Sequence, residues 1–151
     1  MVGSIGAGEG RDLLDGAVVV DLFAGSGSFG IESLSRGADH AFFVERDRQA
    51  VRTLHQNLES LGLSDRASVI SGAVTGAVAG LPPVDVAFCD PPYADDPWLD
   101  LLDRIDAAWL IGHAEAPVPL TDRWVELRRR DYGRSKIVIA RRQDGESGPE
   151  D

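Results

Sequence analysis

A β-branched run that breaks into glycines and then into a helix is the narrowest constraint in this sequence. Ala17–Leu22 reads AVVVDL, a short buried strand. Gly25-Ser26-Gly27-Ser28-Phe29-Gly30 follows, and Ser28–Arg36 has helical spacing closed by Gly37. Glycines at G-x-G-x-x-G spacing between strand and helix bring the backbone close to a ligand at the strand's carboxyl end. The alternation then continues. Ala41–Glu45 is a second strand, and Asp47 caps a helix from Arg48 to about Leu61 with Val51, Leu54, Leu58 and Leu61 as its apolar stripe. Ala67–Ser71 is a third strand, with a short helix near Val74–Ala79. Val84–Cys89 is a fourth, running into Asp90-Pro91-Pro92-Tyr93. Pro97 starts a helix reaching about Ala107, and Leu110–His113 is a weaker strand. Trp124–Arg129 and Lys136–Ala140 form a hairpin turning at Tyr132-Gly133. The pattern predicts an α/β fold: one doubly wound, mostly parallel sheet with a C-terminal antiparallel hairpin.

The 151 residues suit one domain, placed at 11–142. Residues 1–10, with four glycines, and the polar, acidic residues 143–151 read as disordered ends. No run approaches 18 apolar residues, so no membrane span is expected, and the opening residues lack the basic start and apolar core of a secretory signal. One cysteine makes no internal disulfide, Cys89 reads as core, and His40, His55 and His113 lack metal-ligand spacing. The expectation is a cytoplasmic, metal-free monomer.

Twenty-five acids face fifteen bases, a net charge of −10, whereas proteins that grip nucleic acid usually carry the opposite sign. The distribution is uneven. Residues 85–106 hold seven acids and one base, Arg104, while residues 128–142 hold seven bases. Those bases either track phosphates or form a solvated face offsetting acids such as Glu126 and Asp131. The acids of 95–106 read as the solvated face of a helix. Trp98, Trp109 and Trp124 read as packing residues, Trp98 lying nearest the Asp-Pro-Pro-Tyr corner.

The glycine spacing, with Glu45 twenty residues after Gly25, is also the dinucleotide fingerprint, which keeps a nicotinamide oxidoreductase in view. Asp21 weighs against it. Its carboxylate sits at the strand end beside whatever the loop holds, where it repels a pyrophosphate. It suits S-adenosylmethionine, which carries an ammonium and a sulfonium and no phosphate. Glu45 suits two ribose hydroxyls in either case.

Asp90-Pro91-Pro92-Tyr93 falls on the same carboxyl edge. Two prolines fix φ and remove two backbone donors, leaving a rigid corner of acceptors: the Asp90 carboxylate and the neighbouring carbonyls. Such a corner receives the N–H groups of an exocyclic amine, favouring the geometry in which its lone pair can attack. Tyr93 offers a face on which a base can stack.

With these segments together the sequence resembles the class I, Rossmann-like, S-adenosylmethionine-dependent N-methyltransferases, and among them the RsmD-type 16S rRNA guanine-N2 methyltransferases. The resemblance is carried by Val18–Ala38, Phe43–Asp47, Val84–Tyr93 and Arg130–Arg142. It implies that Asp21, Phe23, Gly25 and Gly27 line the methionine part of the cofactor and that Glu45 binds its ribose, with Ala24, Ser26 and Arg46 also among the cofactor-binding residues. Asp90, Pro91, Pro92 and Tyr93 would hold a flipped-out guanine amine. Near the adenine, where the family usually has an acid, this chain has Gly72 and Ala73, leaving backbone groups for that contact. Gly112 also falls where the family tends to have an acid. The implied partner is 16S rRNA or the small ribosomal subunit. A catalytically silent cofactor-binding module, and acceptors such as DNA adenine or a protein amide, stay open.

Overall fold

The computed structural model describes residues 13–92 and 96–143. Seven strands form one sheet in the order β3-β2-β1-β4-β5-β7-β6. The strands are β1 (Val18–Leu22), β2 (His40–Glu45), β3 (Ala67–Ser71), β4 (Val84–Cys89), β5 (Ala107–Ala114), β6 (Trp124–Tyr132) and β7 (Ser135–Arg142). β1 to β5 run parallel, and β7 then β6 extend the sheet antiparallel. The helices are α1 (Ser28–Ser35), α2 (Arg48–Ser60), α3 (Val74–Ala77) and α4 (Trp98–Arg104). The expected doubly wound, mostly parallel sheet with its hairpin is therefore the observed one. The expected disorder at 1–10 lies outside the described residues, as does that at 143–151 apart from Gln143, whose N–H donates to the Arg123 carbonyl at 2.6 Å.

Alternation in the strands sorts the core onto two faces. Val19, Val86, Phe88 and Ile111 meet Phe29 and Leu34 of α1 and Leu54 and Leu58 of α2. Val20, Leu22, Ala87, Leu110 and Val138 meet Trp98, Leu101 and Leu102 of α4. Asp47 caps α2 as expected, accepting the Ala50 N–H at 2.8 Å, but Leu61 at the far end of the stripe is exposed. Arg66 donates to the carbonyls of Leu34 at 2.9 Å and Ala38 at 2.6 Å, tying down the chain where it leaves α1. α1 lies so close to β2 that a Cβ at Gly30 would overlap the Phe43 ring. Gly30→Ala is expected to lower stability by about 1–3 kcal/mol through overpacking. Urea melts of the two proteins check this; an unchanged midpoint would mean that Phe43 has room to move.

Three boundaries differ from the sequence reading. The helix after Pro97 stops at Arg104, because Ala107 pairs with Val84 and the Val84 N–H takes the Asp106 carbonyl at 3.0 Å. β5 is correspondingly longer and central. Its alanines and glycine give little strand propensity, and pairing to β4 and β7 on both sides supplies what the sequence lacks. The hairpin strands are longer too, and the turn falls at Gly133-Arg134 with Gly133 at φ +59°, as a two-residue turn with glycine first requires. Within β6 the register shifts by one residue between Glu126 and Arg128.

Candidate active site

The chain leaves β1 for β2 and β3 on one side and returns to β4 and β5 on the other. Parallel sheets open a crevice at such a reversal, outside the carboxyl ends of the two central strands. Leu22 pairs with Cys89, so Phe23 and Asp90 leave the sheet side by side. Phe23 takes φ +61°, alone among the described non-glycine residues. That conformation costs on the order of 1–3 kcal/mol and turns its ring toward the crevice.

The glycine loop is braced from the next strand. Glu45, ending β2, accepts the Gly25 N–H at 2.8 Å on Oε1 and the Asp47 N–H at 2.9 Å on Oε2. Gly27, at φ +94°, donates to the Ala24 carbonyl at 2.8 Å, and a side chain there would strike Leu54. The loop reaches its shape with protein partners alone.

Asp21 lies behind the loop, 2% exposed, and its Oδ2 accepts the Gly30 N–H at 3.0 Å. Burial pushes its carboxyl up to about 8; the Gly30 hydrogen bond opposes this, and the charges of Asp90 and Glu45 add to it. Among the described residues no cation pairs with Asp21. It is a buried acid that a ligand ammonium would satisfy.

Two clefts meet at Asp90. The larger, about 450 Å³, is lined by Phe23, Glu45, Arg46, Gly72, Ala73, Asp90 and Asp96 among others. Among the described residues three carboxylates stand against one guanidinium, which suits a cationic nucleoside and opposes a pyrophosphate, so these residues fit S-adenosylmethionine. The second cleft, about 340 Å³, is lined by Asp90, Pro91, Pro92, Trp98, His113 and Glu115. Asp90 and Pro92 belong to both.

Of the residues expected to hold a cofactor, Phe23, Glu45, Arg46, Gly72, Ala73 and Asp90 come together on the larger cleft. Asp21, Ala24, Gly25, Ser26 and Gly27 are not among the residues that line it. Tyr93 lies outside the described residues. His113, given no role from sequence, donates or accepts at Nδ1 with Asp90 Oδ1 at 2.9 Å. Toward a carboxylate oxygen Nδ1 is the donor. A histidine near the end of the strand beside Asp90's own was the available signal, and the weakness of β5 in the sequence obscured it. Burial pushes the Cys89 thiol up, consistent with a core residue and not a nucleophile. Among the described residues no cluster of three potential metal ligands occurs, and no helix is long and apolar enough to cross a membrane.

Residues 7–141 match the model of the family described as conserved hypothetical protein 95. YlbH of Bacillus subtilis, provisionally named an rRNA methyltransferase, is 34% identical over 143 residues, which cover 85% of this chain and 78% of that one. Ribosomal RNA small subunit methyltransferase D of Escherichia coli K12 is 35% identical over 101 residues, covering 65% of this chain and 50% of that one. Among solved structures, yhhF of Escherichia coli, provisionally titled a methyltransferase, superimposes with a TM-score of 0.78 at 27% identity, over 86% of this chain and 77% of that one.

Proposed function

This chain belongs to the conserved hypothetical protein 95 family, and on that footing we propose that it is an S-adenosylmethionine-dependent methyltransferase of ribosomal RNA. The acceptor we infer is the exocyclic N2 amine of a guanine in 16S rRNA, free or in the small subunit, in the cytoplasm. The observation that carries this reading is the meeting of two clefts at one carboxylate, Asp90, with a cation-seeking wall on one side and an acceptor-only corner on the other.

When bound, S-adenosylmethionine supplies a methyl group activated on a sulfonium. The protein's part is orientation and charge. Asp21 and the glycine loop would hold the amino-acid end, Glu45 the ribose, and backbone groups at Gly72 and Ala73 the adenine. Asp90 Oδ1 is occupied by His113, so Oδ2 remains to accept an N–H of the target amine. Pro91 and Pro92 offer carbonyls and no competing N–H. Held in this corner, the amine would have its lone pair freed from conjugation and directed at the activated methyl, and Asp90 would take the proton that the methylated nitrogen sheds and pass it to water. Placement in line is the larger share of such catalysis.

Incubating the protein with methyl-labelled cofactor and unmethylated 16S rRNA, then digesting the RNA to nucleosides, tests the reading. N2-methylguanosine is expected. Label on adenine, or on protein alone, would overturn the acceptor; no label from a chain that binds the cofactor would make it a silent binding module. His113 acts here as a positioning residue. His113→Ala is expected to lower kcat by about tenfold to a hundredfold, the worth of one hydrogen bond to a charged group, with the KM for cofactor unmoved. Recovery in His113→Gln, whose amide can also donate, would separate positioning from proton transfer; a rise in cofactor KM instead would place the residue elsewhere in the reaction.

A further inference from the structure

Of the seven bases of residues 128–142, Arg134 lies in the turn and the other six are sorted between the two faces of the hairpin. On one face Arg129 pairs with Glu126 at 2.8 Å, Lys136 with Asp131 at 3.4 Å, and Arg142 with Asp106. Every base there has an acid. The register puts Arg128 opposite Ile139, Arg130 opposite Ile137 and Tyr132 opposite Ser135, on the other face. Arg141 shares that face through its parity with Ile139 and Ile137. Among the described residues Arg128, Arg130 and Arg141 make no ion pair. No acid stands on that face of β5, β6 or β7.

The same face is only partly covered. α1 and α2 pack over β1 to β4, whereas Trp109, Ile137 and Ile139 stay half-buried, and Tyr132 is 58% exposed. The row also leads to the candidate active site. His113 of β5 pairs with Ile137 of β7, which pairs with Arg130 of β6, and His113 holds Asp90. Asp90, His113, Ile137 and Arg130 therefore form one rung at the carboxyl edge. At about 4.8 Å per strand it spans roughly 14 Å. The turn and Tyr132 stand beyond it.

We propose that this face of the hairpin is a binding surface for single-stranded RNA, the segment adjoining the target nucleotide. Arg128 and Arg130 take its phosphates, Tyr132 stacks a base, and the half-buried isoleucines supply the apolar floor. In a chain with net charge −10, a polyanion needs one acid-free approach, and this face supplies it beside Asp90. The paired bases on the opposite face are already neutralised and take no part. The inference rests on the ribosomal RNA reading above.

The test compares two variants of equal net charge, Arg128→Gln/Arg130→Gln and Arg129→Gln/Lys136→Gln, in the full chain. Affinity for an unmethylated 16S rRNA transcript and for an oligouridine 20-mer is measured across salt concentrations, with cofactor affinity as the folding control. The first pair is expected to weaken RNA binding at least about tenfold and to flatten the log–log salt slope by about 1.4, at about 0.7 per lost contact. Tyr132→Ala is expected to cost a further factor of about ten through lost stacking. The second pair is expected to change binding less than about twofold, since screened surface ion pairs contribute little. Equal losses from both pairs, or none from the first, overturn the proposal. So does sedimentation showing that Arg128 and Arg130 instead hold two copies of the chain together. RNA binding with this face dependence but no methyl transfer would sink the methyltransferase reading and leave the surface standing. Transfer without the face dependence would do the reverse.

Discussion

Asp90→Ala should bind S-adenosylmethionine nearly as well as the parent protein and transfer its methyl group at least about 10²–10³ times more slowly. The magnitude is that of removing one preorganised acceptor or donor from a reacting centre. Among the described residues Asp90 is the one carboxylate shared by both clefts, and one of its oxygens is committed to His113. Its loss empties the corner that aligns the amine, while Glu45, Gly72 and Ala73 remain to hold the cofactor. Asp90→Asn keeps an acceptor but loses the charge, so it should fall between the two. Calorimetry with cofactor and single-turnover incorporation into RNA separate binding from transfer. Full activity in Asp90→Ala would move the chemistry away from this corner.

Cofactor affinity should climb about tenfold per pH unit from pH 6 and level off above about pH 8. The cause is Asp21, whose carboxyl is pushed up to about 8 by burial. Below that pH the free protein holds Asp21 protonated, and an ammonium ligand must displace the proton to obtain its counter-charge. The same group sets a stability trend. Its folded value lies above the unfolded 3.8, so the folded state binds the extra proton, and stability falls as pH rises from about 4 to about 8. Asp21→Asn keeps an acceptor for the Gly30 N–H and removes the buried charge. It should melt higher than the parent at pH 8, by a margin on the order of several kcal/mol at full ionisation, and lose most of the cofactor affinity and its pH dependence. Proton release measured by titration in buffers of different ionisation enthalpy checks the coupling. An affinity flat between pH 6 and 8 would mean that Asp21 is ionised before the ligand arrives.

Much of the fold was legible because its signals are local. β1 to β4 are short β-branched or aromatic runs, and Asp47, Gly37 and the prolines punctuate them. β5 was hard to read for the opposite reason: Ala107–Ala114 becomes a strand through its neighbours on both sides, and no single-strand pattern carries that information. The site divided similarly. The glycine loop, Glu45 and Asp90 announce themselves by spacing, whereas His113 matters only because β5 lies beside β4. Gly112 is instructive as well. A Cβ there would come within 3.2 Å of Trp98 and Val138 and 3.4 Å of Val118. The packing of Trp98 leaves an apolar, filled space where the family resemblance implied an acid. Trp98 and Gly112 are thus a matched pair that neither position reveals alone.

The charge on the hairpin was read as a single cluster, and two readings of it competed. The structure sorts the bases onto two faces, those that offset acids on one and Arg128, Arg130 and Arg141 on the other, and the one-residue shift at Leu127 decides which arginine goes where. Counting by twos from Trp124 puts Arg128 and Arg130 on the core side with Val138; the shift advances the phase, so they emerge opposite Ile139 and Ile137 and Arg129 swings back to Glu126. Excising Leu127 would restore a regular ladder and keep every later partner. Holding the strand regular with Leu127 in place would send the guanidinium groups to the far side of the sheet. A single supernumerary residue therefore works as a phase shifter, and the polarity of the whole C-terminal edge depends on it.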